Sequence, residues 1–194
     1  MFPCLIPIMF LASGIPLESG SPVDDPCRSG DDVLQYDDGY VSFLTWAGNY
    51  RGVWFDLHDF YPGASGFSID TLEVWVYSGS YVAAIYTGGP EGPGSCLYES
   101  ELTSGSVVPV DPPVEVEGSD FWVIMTPESP GGTPLLGDAT PQPVASHSFF
   151  SDDFVVWEPW MMGGPNASDY FIRTHGSPLE ELAPSTWGAI KTRI

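Results

Sequence analysis

Between residues 67 and 126 the chain is a ladder of short apolar runs, each stopped by Gly, Pro, Ser or Asp. The runs are Leu72-Glu73-Val74-Trp75-Val76-Tyr77, Tyr81-Val82-Ala83-Ala84-Ile85-Tyr86, Cys96-Leu97-Tyr98, Ser106-Val107-Val108-Pro109-Val110 and Asp120-Phe121-Trp122-Val123-Ile124-Met125. They are rich in β-branched and aromatic residues and too short for typical helices. That pattern predicts an all-β fold, an antiparallel two-sheet β-sandwich. At 194 residues the chain is long enough for one such sandwich with a real core. Gly and Pro make up about a fifth of it, but 43% of residues are hydrophobic and 14% aromatic, so there is ample apolar surface to bury. The Gly and Pro are read as turn residues.

Charge narrows the partners. Five Lys and Arg stand against 26 Asp and Glu, a net charge of −21. Phosphate binding needs clustered basic residues, so nucleic acid is excluded, and an anionic membrane surface by the same logic. Neutral glycans, cationic partners and divalent cations remain. The bland alternative is that the charge only keeps an exported protein soluble.

The start, Met1 to Gly14, reads as the apolar core of a secretory signal, with Ala12, Ser13 and Gly14 as the cleavage zone. No Lys or Arg precedes the run, which departs from the usual pattern. The run is too short to span a bilayer, and no later stretch is long enough to form a transmembrane segment. Residues 1–14 are therefore assigned to a signal peptide, 15–32 to an extended arm, 33–176 to the sandwich and 177–194 to a C-terminal tail. The protein is expected to be secreted or held at the cell surface. With Cys4 removed, Cys27 and Cys96 are an even pair that forms a disulfide or stays as two thiols.

Strands are expected from Val33-Leu34-Gln35-Tyr36 onward. Residues 40–46 and 50–57 read as a hairpin turning at Gly48-Asn49, and 67–77 with 80–87 as another turning at Ser78-Gly79. Gly88 to Gly94 and Pro127 to Pro143 read as loops. Strands are expected again at Ser146–Phe150, Phe154–Trp157 and Asp169–Thr174, with Gly176 to Pro184 polar and one helical turn in Ser185 to Ile194. In a strand, i and i+2 share a face. Val53, Phe55 and Leu57 therefore oppose Trp54, Asp56 and His58, and Leu72, Val74 and Val76 oppose Glu73, Trp75 and Tyr77.

The order of motifs resembles a jelly-roll-like accessory module of secreted multidomain proteins from environmental bacteria, often placed near C-terminal sorting regions. Tyr36-Asp37-Asp38-Gly39, Val53-Trp54-Phe55 and Leu72 to Val76 resemble its opening. Ile85-Tyr86, Gly89 to Gly94, Leu97-Tyr98 and Gly118 to Val123 are similar to its middle. Leu136-Gly137-Asp138, Trp157 and Asp169 to Arg173 are similar to its end. The resemblance covers roughly residues 34–175. It implies a non-catalytic accessory, adhesive or carbohydrate-binding unit and supplies no catalytic residues.

Two constellations could carry binding chemistry. Flat rings stack on sugar C–H faces while carboxylates accept hydroxyl hydrogen bonds. Trp54, Trp75 and Tyr77 with Asp56 and Glu73 would suit a sheet-face platform, and Trp157, Trp160 and Tyr170 near Asn166 and Asp169 a loop-edge site. The alternative is that these rings are core, where large aromatics dominate. Calcium takes oxygen ligands, and Asp37, Asp38, Asp138, Asp152 and Asp153 occupy loop-like positions that could converge around a structural ion. The alternative is solvated turn aspartates. His58, His147 and His175 are far apart and no zinc motif is present. No Gly-x-Ser-x-Gly elbow occurs, and a glycosidase carboxylate pair cannot be told from chance among 26 acids. Asn166-Ala167-Ser168 is a glycosylation sequon in a eukaryotic secretory route. The expectation is a non-enzymatic binding or adhesive module for extracellular glycan or a cell-surface protein. The other readings are a self-associating surface protein, an export-associated C-terminal module and a small glycan-active enzyme.

Overall fold

The computed structural model describes residues 32–138, 147–160 and 168–179. The expected leader, most of the arm, Cys4, Cys27, the sequon asparagine Asn166 and the tail from residue 180 lie outside the described residues. The described chain forms β1 (Asp32–Leu34), β2 (Phe43–Thr45), β3 (Tyr50–Asp56), β4 (Gly66–Val74), β5 (Tyr81–Thr87) and β6 (Cys96–Glu99). It continues with β7 (Val107–Glu117), β8 (Asp120–Pro127), β9 (Leu135–Gly137), β10 (Ser148–Ser151), β11 (Glu158–Pro159) and β12 (Ile172–Leu179). A 3-10 turn at Leu57–Asp59 follows β3.

All pairings between these strands are antiparallel. One sheet has the order β1-β12-β4-β7 and the other β11-β10-β3-β8-β5-β6, while β2 and β9 form a separate ribbon. With β2, β9, β10 and β11 set aside, the remaining eight strands, numbered along the chain, run 1-8-3-6 and 2-7-4-5.

The core lies between the two large sheets. Phe67, Ile69, Leu72 and Val74 of β4 join Val53 and Phe55 of β3, Ala83 and Ile85 of β5, and Phe121, Val123 and Met125 of β8 in one buried cluster. Each large apolar side chain taken out of water there stabilises the fold by about 1.5–3 kcal/mol. The alternation in β3 and β4 thus puts its aliphatic faces inward, with Trp54 and Glu73 turned away from that core.

Neither expected hairpin forms. Strand β2 pairs with β9 rather than β3, and β4 pairs with β12 and β7 while β5 pairs with β8 and β6. Leu72 and Val74 of β4 and Ala83 and Ile85 of β5 lie on buried faces of different sheets, so for that pair crossing the sandwich lets the two faces bury one another. Alternation identifies the buried face of a strand but not its neighbour. The expected loop at Pro127–Pro143 contains β9, and the segment expected to be polar tail from Gly176 is strand through Leu179. Phe154–Trp157 is a bend, not a strand. Strand β7 runs well past Val110 despite Pro109, Pro112 and Pro113. It is an edge strand bonded only to β4, where missing N–H groups cost no ladder bond on the open side.

The outer side of the six-stranded sheet has its own apolar layer. Trp122 is fully buried there, with Phe149 and Trp157 each 5.1 Å from its ring. Its indole N–H donates to the Gly89 carbonyl at 2.9 Å, so the Gly-rich 88–94 loop serves as part of this cover.

Candidate functional site

The two sheets separate the aromatic residues that alternation had grouped. Trp54 lies on β3 in the six-stranded sheet, half-buried, with its ring stacked on His147 at 5.1 Å and its indole N–H donating to Asp120 at 3.2 Å. Trp75 and Tyr77 leave the end of β4, in the other sheet. Trp54 therefore does not share a platform with them. Trp157 is half-buried against Trp122 and Phe154. Trp160 and Tyr170 are interior residues, 5% and 1% exposed, with ring centroids 4.6 Å apart. The Trp160 ring lies against the Cα of Gly137, where any Cβ would collide with it. These two rings are core and present no face to a ligand, which corrects the loop-edge grouping.

Trp75 and Tyr77 belong to a different surface. Val76 bridges Leu135, so Trp75 stands beside Leu136 and Tyr77 beside Pro134. Leu136 donates its N–H to the Trp75 carbonyl at 3.0 Å, and Tyr77 donates to the Pro134 carbonyl at 2.9 Å. On the other edge of β9, Leu44 of β2 pairs with Leu136. Phe43 and Thr45 turn inward, which leaves Leu44 and then Trp46 on the outward face. Three parallel rows of backbone thus present Trp75, Tyr77, Leu136, Leu44 and Trp46 on one side. Tyr77 is 71% exposed, Trp46 53% and Trp75 36%. Strand spacing puts Trp46 and Tyr77 about 10 Å apart across the ribbon, and Trp75 and Tyr77 about 7 Å apart along it. Trp46 and Leu136 were missed in the sequence. The Phe43/Thr45 against Leu44/Trp46 alternation was the available signal, but it spans only four residues.

A charged network borders this face. Glu73 accepts from the Trp75 indole N–H at 2.6 Å and faces His175 at 3.2 Å and Arg173 at 3.7 Å. Arg173 forks onto Asp37, donating from Nε at 2.9 Å and from Nη2 at 2.5 Å. Its guanidinium lies 5.5 Å from the Trp75 ring centroid and 5.3 Å from that of Phe171. The hydrogen bond from His175 holds the Glu73 carboxyl below its usual range, with the Trp75 bond and Arg173 adding to it. The Asp37 fork raises Arg173. The exposed Trp75 ring is therefore held by a carboxylate at its edge and a guanidinium beside it.

Of the aspartates considered as metal ligands, Asp37, Asp38 and Asp138 come together and are joined by Asp169. Asp138 accepts the backbone N–H of Asp38 at 3.1 Å and of Asp169 at 2.9 Å. Asp169 accepts from the Ser148 hydroxyl at 2.9 Å. Burial raises Asp138, and burial together with the neighbouring carboxylates pushes Asp169 up to about 6. Asp152 and Asp153 lie elsewhere, in the bend after β10. Asp153 accepts the backbone N–H groups of Val155 and Val156 at 2.9 and 3.0 Å, which lowers its pKa. Among the described residues no trio of His, Cys, Asp or Glu is arranged to hold a metal ion as it stands. Also among the described residues, no helix is long and apolar enough to cross a membrane.

No protein-family model, curated protein or solved structure matches the chain.

Proposed function

We propose that the protein is an exported, non-catalytic module that binds extracellular glycan through the outward face of the 75–77 segment, β9 and β2. The observation that carries this reading is three exposed aromatic rings, Trp46, Trp75 and Tyr77, on one side of a hydrogen-bonded ribbon. Spacings of about 7–10 Å let one extended glycan chain lie across more than one ring. Aromatic side chains are stiff and amphipathic, so they offer contact area at a low entropic cost. Charge argues against a second copy as the occupant, because two chains of −21 repel each other.

Calcium as a structural ion belongs to the same proposal. Asp37, Asp38, Asp138 and Asp169 bring more negative charge to one place than Arg173 offsets. Burial first, and then the neighbouring carboxylates, raise Asp138 and Asp169, and an oxygen-ligated cation beside them would favour their charged forms.

The test is retention of the purified protein on a panel of insoluble and immobilised polysaccharides, with calcium and with a chelator. Retention on one glycan class, lost in Trp75→Ala, Tyr77→Ala and Trp46→Ala, supports the reading. Because all three rings are exposed, these variants should keep their fold. No retention on any glycan, or retention unchanged in all three variants, would overturn it. Sedimentation showing a dimer that these substitutions dissolve would favour self-association instead.

A further inference from the structure

The outer face of the six-stranded sheet carries a cavity of a different kind. Register across β3, β8 and β5 sets rows on that face: Tyr50, Thr126, Val82; then Gly52, Ile124, Ala84; then Trp54, Trp122, Tyr86. Ile124 and Trp122 fill the space beside Gly52, so the middle row is packed, and the hollow opens beside it over Tyr50, Thr126, Val82 and Tyr86. The bend after β10 folds back and sets Phe154 over it. The Phe154 ring lies 5.0 Å from Tyr50 at 80° and 5.3 Å from Tyr86 at 52°. Three rings stand at angles as walls rather than lying flat as a platform. Val82, Thr126 and the exposed Glu99 of β6 complete the lining of a space of about 350 Å³.

Phe154 is held there against its backbone preference. Its φ is 66°, in the left-handed region that bulky residues rarely enter. Such a conformation is strained and persists only where the surroundings impose it. Here Ser151 Oγ accepts the N–H of Phe154 at 3.0 Å, and Asp153 caps the N–H groups of Val155 and Val156. The cavity has no basic neighbour. Among the described residues the only Lys or Arg are Arg51, fully buried under other carbonyls, and Arg173, engaged with Asp37. Burial first of all pushes the Tyr86 phenol up to about 12, so it stays neutral, and Glu99 is the carboxylate in the lining.

We propose that this cavity binds a small organic cation of the quaternary or methylated ammonium type. A cation within about 6 Å of an aromatic face is attracted by its quadrupole. Methyl groups spread the charge, lower its desolvation cost and pack against Val82 and Phe154. Glu99 at the mouth supplies the counter-charge. A pyranose is a poorer fit, since angled rings leave no flat surface for its C–H face.

The test is an NMR titration of the full chain with choline and, separately, with its neutral isostere 3,3-dimethyl-1-butanol, at constant ionic strength. Saturable shifts at Tyr50, Tyr86 and Phe154 are expected with choline, with the alcohol at least about ten-fold weaker. Phe154→Gly removes a wall while suiting the left-handed backbone, and should weaken choline binding by about ten-fold or more. Glu99→Gln changes one exposed charge and should weaken it by about three-fold. If Phe154→Gly does not fold, Glu99→Gln still decides. Absence of saturable binding, equal binding of the alcohol, or unchanged binding in the folded variants would overturn the proposal.

Discussion

Asp169 is buried beside Asp138 and Asp37, and its carboxyl is raised to about 6. In the unfolded chain it would titrate near 3.9. Between those values the native state holds a proton that the unfolded state has released. The group's contribution to stability is therefore fully present below about pH 4 and is lost as pH rises through 6. Asp169→Asn removes the charge yet keeps an oxygen to accept from Ser148. It should raise stability at pH 7 by about 2 kcal/mol and flatten the loss between pH 4 and 6. Urea unfolding across that range, in chelator, measures both; an unchanged pH slope would show that Asp169 is not the group responsible. Glu73 acts in the opposite sense, on an exposed ring. Its carboxylate fixes the Trp75 indole edge at 2.6 Å, so Glu73→Ala should leave Trp75 in place but free to turn. Glycan retention should fall by about three- to ten-fold without loss of secondary structure, because the ring must then be ordered on binding. Retention equal to the parent protein would show that Trp75 needs no anchor.

At the scale of elements, the ribbon that carries the candidate site depends on one buried arginine. Arg51 of β3 donates to Ala47 at 2.7 Å, Gly48 at 3.2 Å and Thr133 at 2.7 Å. It thereby ties the turn after β2 to the loop before β9. Thr133 has φ 45°, unusual for a β-branched residue, and its hydroxyl donates to Ser80 at 2.6 Å. The three carbonyls are reached from three different guanidinium nitrogens, which a single ammonium nitrogen cannot reproduce, so Arg51→Lys should destabilise the protein by about 2–4 kcal/mol. It should also weaken glycan retention more than a distant substitution of equal thermodynamic cost, and paired denaturation and retention assays separate the two effects. None of this was legible in the sequence. The strands themselves were, because alternation at Val53/Phe55 and Leu72/Val74 is a local property of the chain. Their partners were not, because pairing is decided by which aliphatic faces can bury one another across the sandwich. The same limit explains the site. Trp75 and Tyr77 could be placed outward by parity, but their neighbour Trp46 is reached only through β9, a three-residue strand inside what reads as loop. Trp160 and Tyr170 went the other way, since nothing local marks a ring that packs on Gly137.

For the whole molecule the dominant fact is unbalanced charge. The chain carries −21, and both basic residues among the described residues are already engaged, Arg51 with carbonyls and Arg173 with carboxylates. Their charges are not free to offset the acids spread over the surface. Self-repulsion of that kind destabilises the compact state, because unfolding lets like charges move apart. Its range is set by the Debye length, about 30 Å at 0.01 M salt and about 8 Å at 0.15 M. The first is comparable with the size of the domain and the second is not. Thermal stability at pH 7 should therefore rise steadily with NaCl between 0.01 and 0.15 M, by several degrees, and then level off. Screening depends on ionic strength and not on the identity of the cation. The structural calcium ion proposed at Asp37, Asp38, Asp138 and Asp169 would make a different demand. Millimolar CaCl₂ should then stabilise well beyond NaCl or MgCl₂ at the same ionic strength, because magnesium demands a smaller, stricter octahedron. Asp138→Asn should abolish that calcium-specific increment and leave the NaCl dependence intact. Equal effects of the three salts at matched ionic strength would assign the whole response to screening and remove the ion from the account. A Tm that is flat in NaCl would instead mean that the surface acids are already neutralised.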